Sequence, residues 1–317
     1  MERDAHGHPS LGQRQNGEAV IGILLGLGAA VSQTVAYLFS RIYVQRREQS
    51  ILDLMVASHL FMGAAALVML GMVWPSDMPP LRRYIWPALA TAGFYVVGQY
   101  GLFSLVRRVE ASRVAPLLAL KIVVLAGLAT LLRQGAPLGA WQWMAVLLCV
   151  AGAFLLNRAG RALDGRSMGW LALTIAGYCL SDLSIVQLVK SLEPLPLARA
   201  AVVGAGVSYA LCGLAALVAM PFAGDRASRR EWVHAGPYAA AWFIGMLLLF
   251  GCFATVGVVF GNILQSTRGV MSVAIGAALA RRGWLRLEEP VSRTLLWRRI
   301  AGACLMTFAI VLFQCGR

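Results

Sequence analysis

Long apolar runs are the feature that most constrains how this chain folds. Val20–Ser40 is one such run, and Ala145–Leu156 with its flanks is another; a helix needs about 20 residues to cross a bilayer core. Of the 317 residues, 59% are hydrophobic and only 13% are charged, whereas a soluble domain carries about 25% charged residues. No run alternates like a strand, and helices satisfy every backbone group within lipid. We therefore expect an all-α membrane protein.

The apolar runs and the breakers between them predict ten transmembrane helices. The predicted spans are residues 19–40, 51–73, 84–105, 112–132, 138–157, 168–189, 199–220, 233–256, 263–280 and 296–314. Residues 1–18 form a polar tail before the first span, and residues 158–167 connect the fifth span to the sixth. The connections are short and contain Pro or Gly, so they leave no room for a soluble domain.

The net charge of +14 comes mostly from Arg residues placed singly or in small groups between apolar runs. That placement is typical of cations at the ends of membrane helices, where they meet anionic lipid headgroups. It indicates membrane lipids as partners and does not indicate nucleic acid. The six cysteines show no CxxC spacing, so we expect no metal and no cofactor.

The two halves of the chain repeat each other. Gly63–Val68 in span 2 matches Gly213–Val218 in span 7, 150 residues later, and spans 3 and 8 match at the same offset. The repeats are residues 19–157 and 168–314, with five predicted helices each. Because five is odd, the second repeat enters the membrane from the opposite face. Inverted repeats are the architecture of many secondary transporters, with the substrate site between the halves.

The ends of the repeats resemble a known family. Glu110–Leu117 opens span 4, Val150–Leu156 closes span 5, Leu287-Glu288-Glu289 precedes span 10, and Ala301-Gly302-Ala303 lies within it. In these segments the chain resembles the drug/metabolite transporter superfamily, specifically its EamA-like members with ten helices in a 5+5 arrangement. The family often has a Leu-Gly-Glu-like turn after the fourth helix of each repeat. The second half keeps acids there, whereas the first half has Arg133-Gln134-Gly135.

The resemblance implies a secondary transporter, not an enzyme, that carries a small polar or amphipathic metabolite by alternating access. It leaves the substrate, the direction of transport and the coupling ion open. A flippase for a lipid-linked substrate on the same fold is the alternative. The sequence does not contain the motifs expected of an intramembrane enzyme. We expect a small-molecule substrate, a possible coupling proton and a monomer or homodimer.

Lys121, near the centre of span 4, is one of only two lysines in a chain with 26 arginines. A cation at the bilayer centre is unfavourable by at least ~2.5–3.5 kcal/mol, so it should face a partner or a wet cavity. Its own helix face offers no partner, so the partner must come from another helix or from the substrate. A structural ion pair or a snorkelling side chain is the other interpretation.

Asp182 is the only acid well inside a span, and the matching position in the first repeat is Gln33. One hypothesis pairs Asp182 with Lys121 across a cavity or gives it a coupling proton. The other has Asp182 hydrogen-bonded to a nearby hydroxyl such as that of Tyr178. Ser32 and Ser181 precede these two residues and join them as candidates for the substrate or ion site.

Further polar residues complete the candidate site. His59 matches Tyr209 across the repeats, and Gln99 and Tyr100 lie in span 3; these residues either line the cavity or make interhelical hydrogen bonds. Arg113 and Arg268 occupy matching positions and are either headgroup anchors or gates and anion contacts. Pro116, five residues before Lys121, predicts a helix kink beside the charge.

The orientation in the membrane is ambiguous. With a cytoplasmic N-terminus, the inner segments hold eight basic residues and the outer segments 18. The positive-inside rule therefore favours external termini, whereas the resemblance implies internal ones. We expect a multi-pass protein of the inner or plasma membrane.

Overall fold

The chain folds into a bundle of α-helices. The computed structural model describes residues 11–47, 51–106, 108, 111–133, 137–156, 164–223, 229, 231–271 and 293–316. These residues contain no strand. Their α-helices are α1 Leu11–Arg47, α2 Ile51–Val73, α3 Leu81–Val106, α4 Ala111–Leu131, α5 Ala140–Leu156, α6 Gly165–Ser191, α7 Leu197–Ala219, α8 Gly236–Val256, α9 Val258–Ser266 and α10 Arg293–Cys315. The predicted ten helices fit this order. We call α1–α5 the first half and α6–α10 the second half.

Two boundaries differ from the sequence prediction. Helix α1 begins at Leu11, so part of the predicted polar tail continues the first helix. Helix α9 begins at Val258, five residues before the predicted start of span 9. Gly257 has φ of 83°, a conformation that glycine adopts without strain. A single residue therefore separates α8 from α9, where the prediction had placed a loop at residues 257–262.

Six helices of the described part are long and apolar enough to cross a membrane. They cover Gly17–Ser40, Leu52–Val73, Leu81–Leu105, Gly165–Ser191, Leu197–Phe222 and Trp232–Val256. Shorter apolar helices cover Leu117–Leu131, Ala140–Leu155 and Cys304–Cys315. The chain is therefore a multi-pass membrane protein.

The most extensive helix contacts join the two halves. Helix α1 packs on α8, α3 on α6, α2 on α7, and α5 on α10. Glycines make two of these contacts very close: a Cβ at Gly63 would lie 2.6 Å from the Gly213 Cα, and a Cβ at Gly152 would lie 2.9 Å from the Gly302 carbonyl oxygen. Small residues allow such close backbone approach between membrane helices.

The outer face of the bundle is apolar. Leu67, Val68 and Met72 of α2 are 63%, 66% and 82% exposed, and Val218 of α7 is 68% exposed. A soluble monomer rarely exposes contiguous apolar surface of this kind. These side chains face the lipid, and the polar residues collected inside the bundle are the candidates for function.

Candidate functional site

Lys121 and Asp182 form an ion pair inside the bundle. The Lys121 Nζ lies 2.6 Å from the Asp182 Oδ2, and the two side chains are 16% and 8% exposed. Lys121 lies on α4 of the first half and Asp182 on α6 of the second half. The pairing predicted from the sequence is therefore present, and it joins the halves. Removing one partner of such a buried pair leaves the other charge uncompensated, which is strongly unfavourable.

Asn262 is a second partner of Asp182 that the sequence analysis missed. Its Nδ2 donates to the Asp182 Oδ2 over 2.7 Å and to the Val258 carbonyl over 3.0 Å. Asn262 lies in the first turns of α9 because the chain turns at Gly257; the prediction had placed it in a loop. An amide within the apolar segment from Val256 to Leu264 was the available signal.

Tyr178 contacts the lysine and not the acid. The Lys121 Nζ lies 5.4 Å from the centre of the Tyr178 ring, a distance at which the ring face attracts the cation. Tyr178 had been considered as a hydrogen-bond partner of Asp182. Instead it supports the cation of the pair, one turn of α6 away from the acid.

Arg268 binds Gln33 on the other side of the site. The Arg268 Nη1 donates to the Gln33 Oε1 over 2.6 Å, and the Nε donates to the Gln265 carbonyl over 2.9 Å. Gln33 is 2% exposed, and its Nε2 donates to the Met246 Sδ over 3.3 Å. Within the described residues, both hydrogen-bond acceptors of Arg268 are neutral, and no acid forms an ion pair with it.

The residues beside Arg268 cap the end of α9. Ser266 Oγ donates to the Ile263 carbonyl over 2.5 Å, and Thr267 Oγ1 donates to the Leu264 carbonyl over 2.7 Å. With Arg268, three consecutive side chains satisfy three consecutive carbonyls. A helix end within a membrane bundle needs such partners because its last carbonyls have none in the helix.

Aromatic and polar side chains form a cluster next to the ion pair. The Tyr95 ring lies 6.4 Å from the ring of Tyr178, 5.9 Å from that of Tyr209 and 5.6 Å from that of His59. Gln99 donates to the Tyr95 hydroxyl over 2.7 Å. The predicted residues His59, Gln99 and Tyr209 therefore meet around Tyr95, which the sequence analysis had not selected.

Among the described residues, several polar groups of this cluster are hydrogen-bonded, but one ring nitrogen of His59 is not. Trp242 Nε1 donates to the Tyr209 hydroxyl over 3.1 Å, and His59 Nδ1 contacts the Met55 carbonyl over 2.6 Å. His59 is 5% exposed, and its Nε2 has no hydrogen-bond partner in the described part of the chain. A buried ring nitrogen without a partner is unfavourable, so a polar group of a ligand would be accepted there.

A small cavity lies between the halves beside this cluster. Its empty volume is about 210 Å³, and its walls are formed by Thr91, Ala92, Tyr95, Ser181, Ile185, Ser208, Tyr209, Cys212, Met246 and Phe250. Ser181 Oγ donates to the Thr91 carbonyl over 2.9 Å, next to Asp182. Only about one water molecule fits within it, so the cavity is too small for a metabolite in this conformation.

The remaining candidates lie elsewhere. Ser32 is half-buried beside Gly245, next to Gln33. Tyr100 is 53% exposed on the same outer face of α3 as Val97, and its ring meets the edge of Trp170 at 5.7 Å. Tyr100 is therefore not brought to the cluster.

Two further candidates cannot be placed as side chains. The backbone at Arg113 and Pro116 is part of α4, but their side chains lie outside the described residues. The gate and kink assigned to them stay predictions.

Comparison with known proteins finds one family model. Residues 20–158 match the model of the EamA-like transporter family. The first half of this chain is therefore similar to that family. The resemblance expected from the sequence is thereby confirmed, and the EamA-like family is one of membrane transporters of small substrates.

A solved structure shares the fold of this chain. Its title reads only "Crystal structure of protein"; it is 16% identical, and the match covers 93% of this chain and 97% of that one, with a TM-score of 0.63. No curated protein matches the sequence. At that identity the likeness concerns the fold alone.

Proposed function

We propose that this EamA-like chain is a secondary transporter of a small polar or amphipathic metabolite, with its site between two inverted repeats. The observation that carries the proposal is the buried Lys121–Asp182 pair, contributed by one helix from each half. Ionisable residues inside membrane helices are rare, and most mark a substrate or ion pathway. In a family of transporters, such a pair between the halves is best explained as a transport site.

The contacts between the halves support the inverted repeat. Exchanging the halves converts the α1–α8 contact into the α3–α6 contact and leaves the α2–α7 and α5–α10 contacts unchanged. The two close glycine contacts, Gly63 with Gly213 and Gly152 with Gly302, each join positions 150 residues apart. A two-fold axis through both contacts would produce this pattern.

The small cavity and the paired charges support alternating access. The cavity of about 210 Å³ would enlarge when one half rocks against the other, as in other inverted-repeat carriers. The polar rim from His59 to Asp182 gives a substrate hydrogen-bonding groups, and the aromatic rings accept its apolar part. Acids within membrane helices often belong to ion or proton pathways, so Asp182 is our candidate for the coupling site.

The test is transport by the purified chain in proteoliposomes, with pooled labelled metabolites inside and outside. Lys121→Met and Asp182→Asn should each reduce flux about tenfold or more, because each removes one partner of a buried pair. The chain offers matched controls: Lys190→Met changes the only other lysine, which is exposed, and Asp77→Asn changes an exposed loop acid. Normal flux in both site variants, at normal membrane insertion, would refute the proposal.

A further inference from the structure

The ammonium group of Lys121 has a carboxylate and an aromatic ring as neighbours. Its Nζ lies 2.6 Å from the Asp182 Oδ2 and 5.4 Å from the centre of the Tyr178 ring. A carboxylate accepts the hydrogen bonds of an ammonium ion, and a ring face attracts its charge. Proteins bind organic ammonium ligands with these same groups, so Lys121 fills a site of that chemistry with its own ammonium.

The two partners of the ion pair are held unequally. Asp182 has a short side chain that is 8% exposed, and its Oδ2 also receives the Asn262 Nδ2 over 2.7 Å. Asp182 and Asn262 both belong to the second half, on α6 and α9. Lys121 comes from the first half on a flexible four-carbon stem, and its side chain is 16% exposed. Lys121 is therefore the partner that a competitor displaces, and Asp182 stays in place.

Displacement of Lys121 leaves a site that selects cations. The buried Asp182 carboxylate is strongly unfavourable without a positive partner, and the negative face of the Tyr178 ring attracts cations and repels anions. A ligand's ammonium needs only the space from which the Lys121 Nζ has moved. The Tyr95 ring lies 6.4 Å from that of Tyr178, so the apolar body of such a ligand has aromatic surface to lie against.

We propose, on the basis of the transport function above, that the substrate is a small organic amine, carried as its ammonium ion with an apolar or aromatic body. The ammonium replaces that of Lys121 on Asp182, and the body lies against Tyr178 and Tyr95. Lys121 determines specificity as a tethered competitor: it fills the site when no substrate is bound, and it yields only to a ligand that takes over its contact with Asp182.

The test uses the chain in nanodiscs at neutral pH, where a primary aliphatic amine is protonated like a lysine side chain. The melting temperature is followed against ligand concentration, because a ligand of the folded state raises it. The probes share a phenethyl group and differ in charge: 2-phenylethylammonium, neutral 2-phenylethanol and anionic 3-phenylpropanoate. The ammonium should raise the melting temperature of the wild type, and the other two should not. An equal shift with the alcohol, a preference for the carboxylate, or no shift with the ammonium would each overturn the proposal.

Two variants test the charges in opposite directions. Lys121→Met removes the competitor, so the half-maximal concentration of 2-phenylethylammonium should fall about tenfold, a change of about 1.4 kcal/mol. Asp182→Asn removes the carboxylate, so that concentration should rise about tenfold or more. The exposed residues changed in Lys190→Met and Asp77→Asn are the matched controls and should leave it unchanged. Unchanged or weaker binding in Lys121→Met would overturn the competitor role, and unchanged binding in Asp182→Asn would overturn the site.

A third variant keeps both charges, so the proposal stays testable where the charge variants do not fold. Tyr178→Leu removes the ring beside the Lys121 Nζ, and the half-maximal concentration of 2-phenylethylammonium should rise about fivefold. Tyr100→Leu is its matched control, because Tyr100 is a tyrosine on the exposed face of α3. Equal binding by the two tyrosine variants would overturn the placement of the ligand.

This binding test and the flux test fail separately. A chain whose flux depends on Lys121 but which binds no 2-phenylethylammonium keeps the transport function and loses the amine assignment. A chain that binds 2-phenylethylammonium as described but carries no flux keeps the amine site and loses the transport function.

Discussion

Asp182 and Gln33 stand at matching places in the two sequence repeats, 149 residues apart, and each binds a cation from the other half. Asp182 on α6 binds Lys121 of α4 at 2.6 Å, and Gln33 on α1 binds Arg268, just after α9, also at 2.6 Å. The geometry is alike, but the chemistry differs. One pair joins two opposite charges, and the other joins a charge to a neutral amide.

In the proposed repeat, this difference gives the two halves unequal charge. Each half has a polar residue on its first helix and a cation on or after its fourth. A single acid-to-amide difference then leaves one cation balanced and the other unbalanced. Breaking the balanced pair strands a buried charge, whereas breaking the other removes only hydrogen bonds. The two pairs should therefore respond differently to the same kind of substitution.

The largest effect is expected at the balanced pair. Lys121→Met removes the cation and leaves the Asp182 carboxylate buried, so the free energy of unfolding should fall by about 3–5 kcal/mol. The measurement is reversible denaturation in bicelles. Lys190→Met is the control, since that exposed lysine should change stability by less than about 0.5 kcal/mol. Similar values for both lysines would mean that the pair contributes nothing.

A smaller effect is expected at the unbalanced pair. Arg268→Met removes the hydrogen bonds to Gln33 and to the Gln265 carbonyl but strands no charge, so we expect a loss of about 1.5–3 kcal/mol. The same denaturation measurement applies. A loss equal to or larger than that of Lys121→Met would contradict the distinction and would indicate an acid bound to Arg268.

The smallest effects are expected at the neutral neighbour of each pair: Asn262 beside Lys121–Asp182, and Met246 beside Arg268–Gln33. Asn262→Leu removes the 2.7 Å hydrogen bond to Asp182 and should lower the free energy of unfolding by about 1.5 kcal/mol, the lower end of the range for one hydrogen bond to a charged group. Met246→Leu removes only the 3.3 Å contact of its sulfur with Gln33; such volume-conserving changes usually stay below about 1.5 kcal/mol, and we expect less than for Asn262. Comparing the two variants by denaturation in bicelles checks the order, and the reverse order would place the more important neighbour at Gln33.

Much of the fold could be predicted because helix length and hydropathy are local properties. Helix α2 is observed at Ile51–Val73, the same residues as the predicted span 2. The error at α9 has a local cause that hydropathy does not reveal. Gly257 turns the chain in one residue, and the segment after it looked like an apolar connection.

Less of the candidate site could be predicted. Lys121 and Asp182 were recognisable because charge inside an apolar run is unfavourable without a partner, and few candidate partners existed. Asn262, Tyr95 and Thr91 were not recognisable, because neutral polar residues are tolerated singly in membrane helices. Tyr100 was selected beside Gln99, but a helix turns 100° per residue, and Tyr100 lies on the exposed face.

By itself, the sequence determined that the chain is helical and lies in a membrane, because both properties follow from the length of its apolar runs. Repetition along the chain led to the proposal of two related halves. The sequence also identified Lys121 as a lysine in the middle of a span, and Asp182 as an acid whose matching position, Gln33, is an amide. Only the tertiary structure decided which cation meets which acceptor, because pairing between distant helices depends on how the halves pack at Gly63 and Gly213. That packing brought Arg268 to the neutral amide of Gln33 and Lys121 to the carboxylate of Asp182.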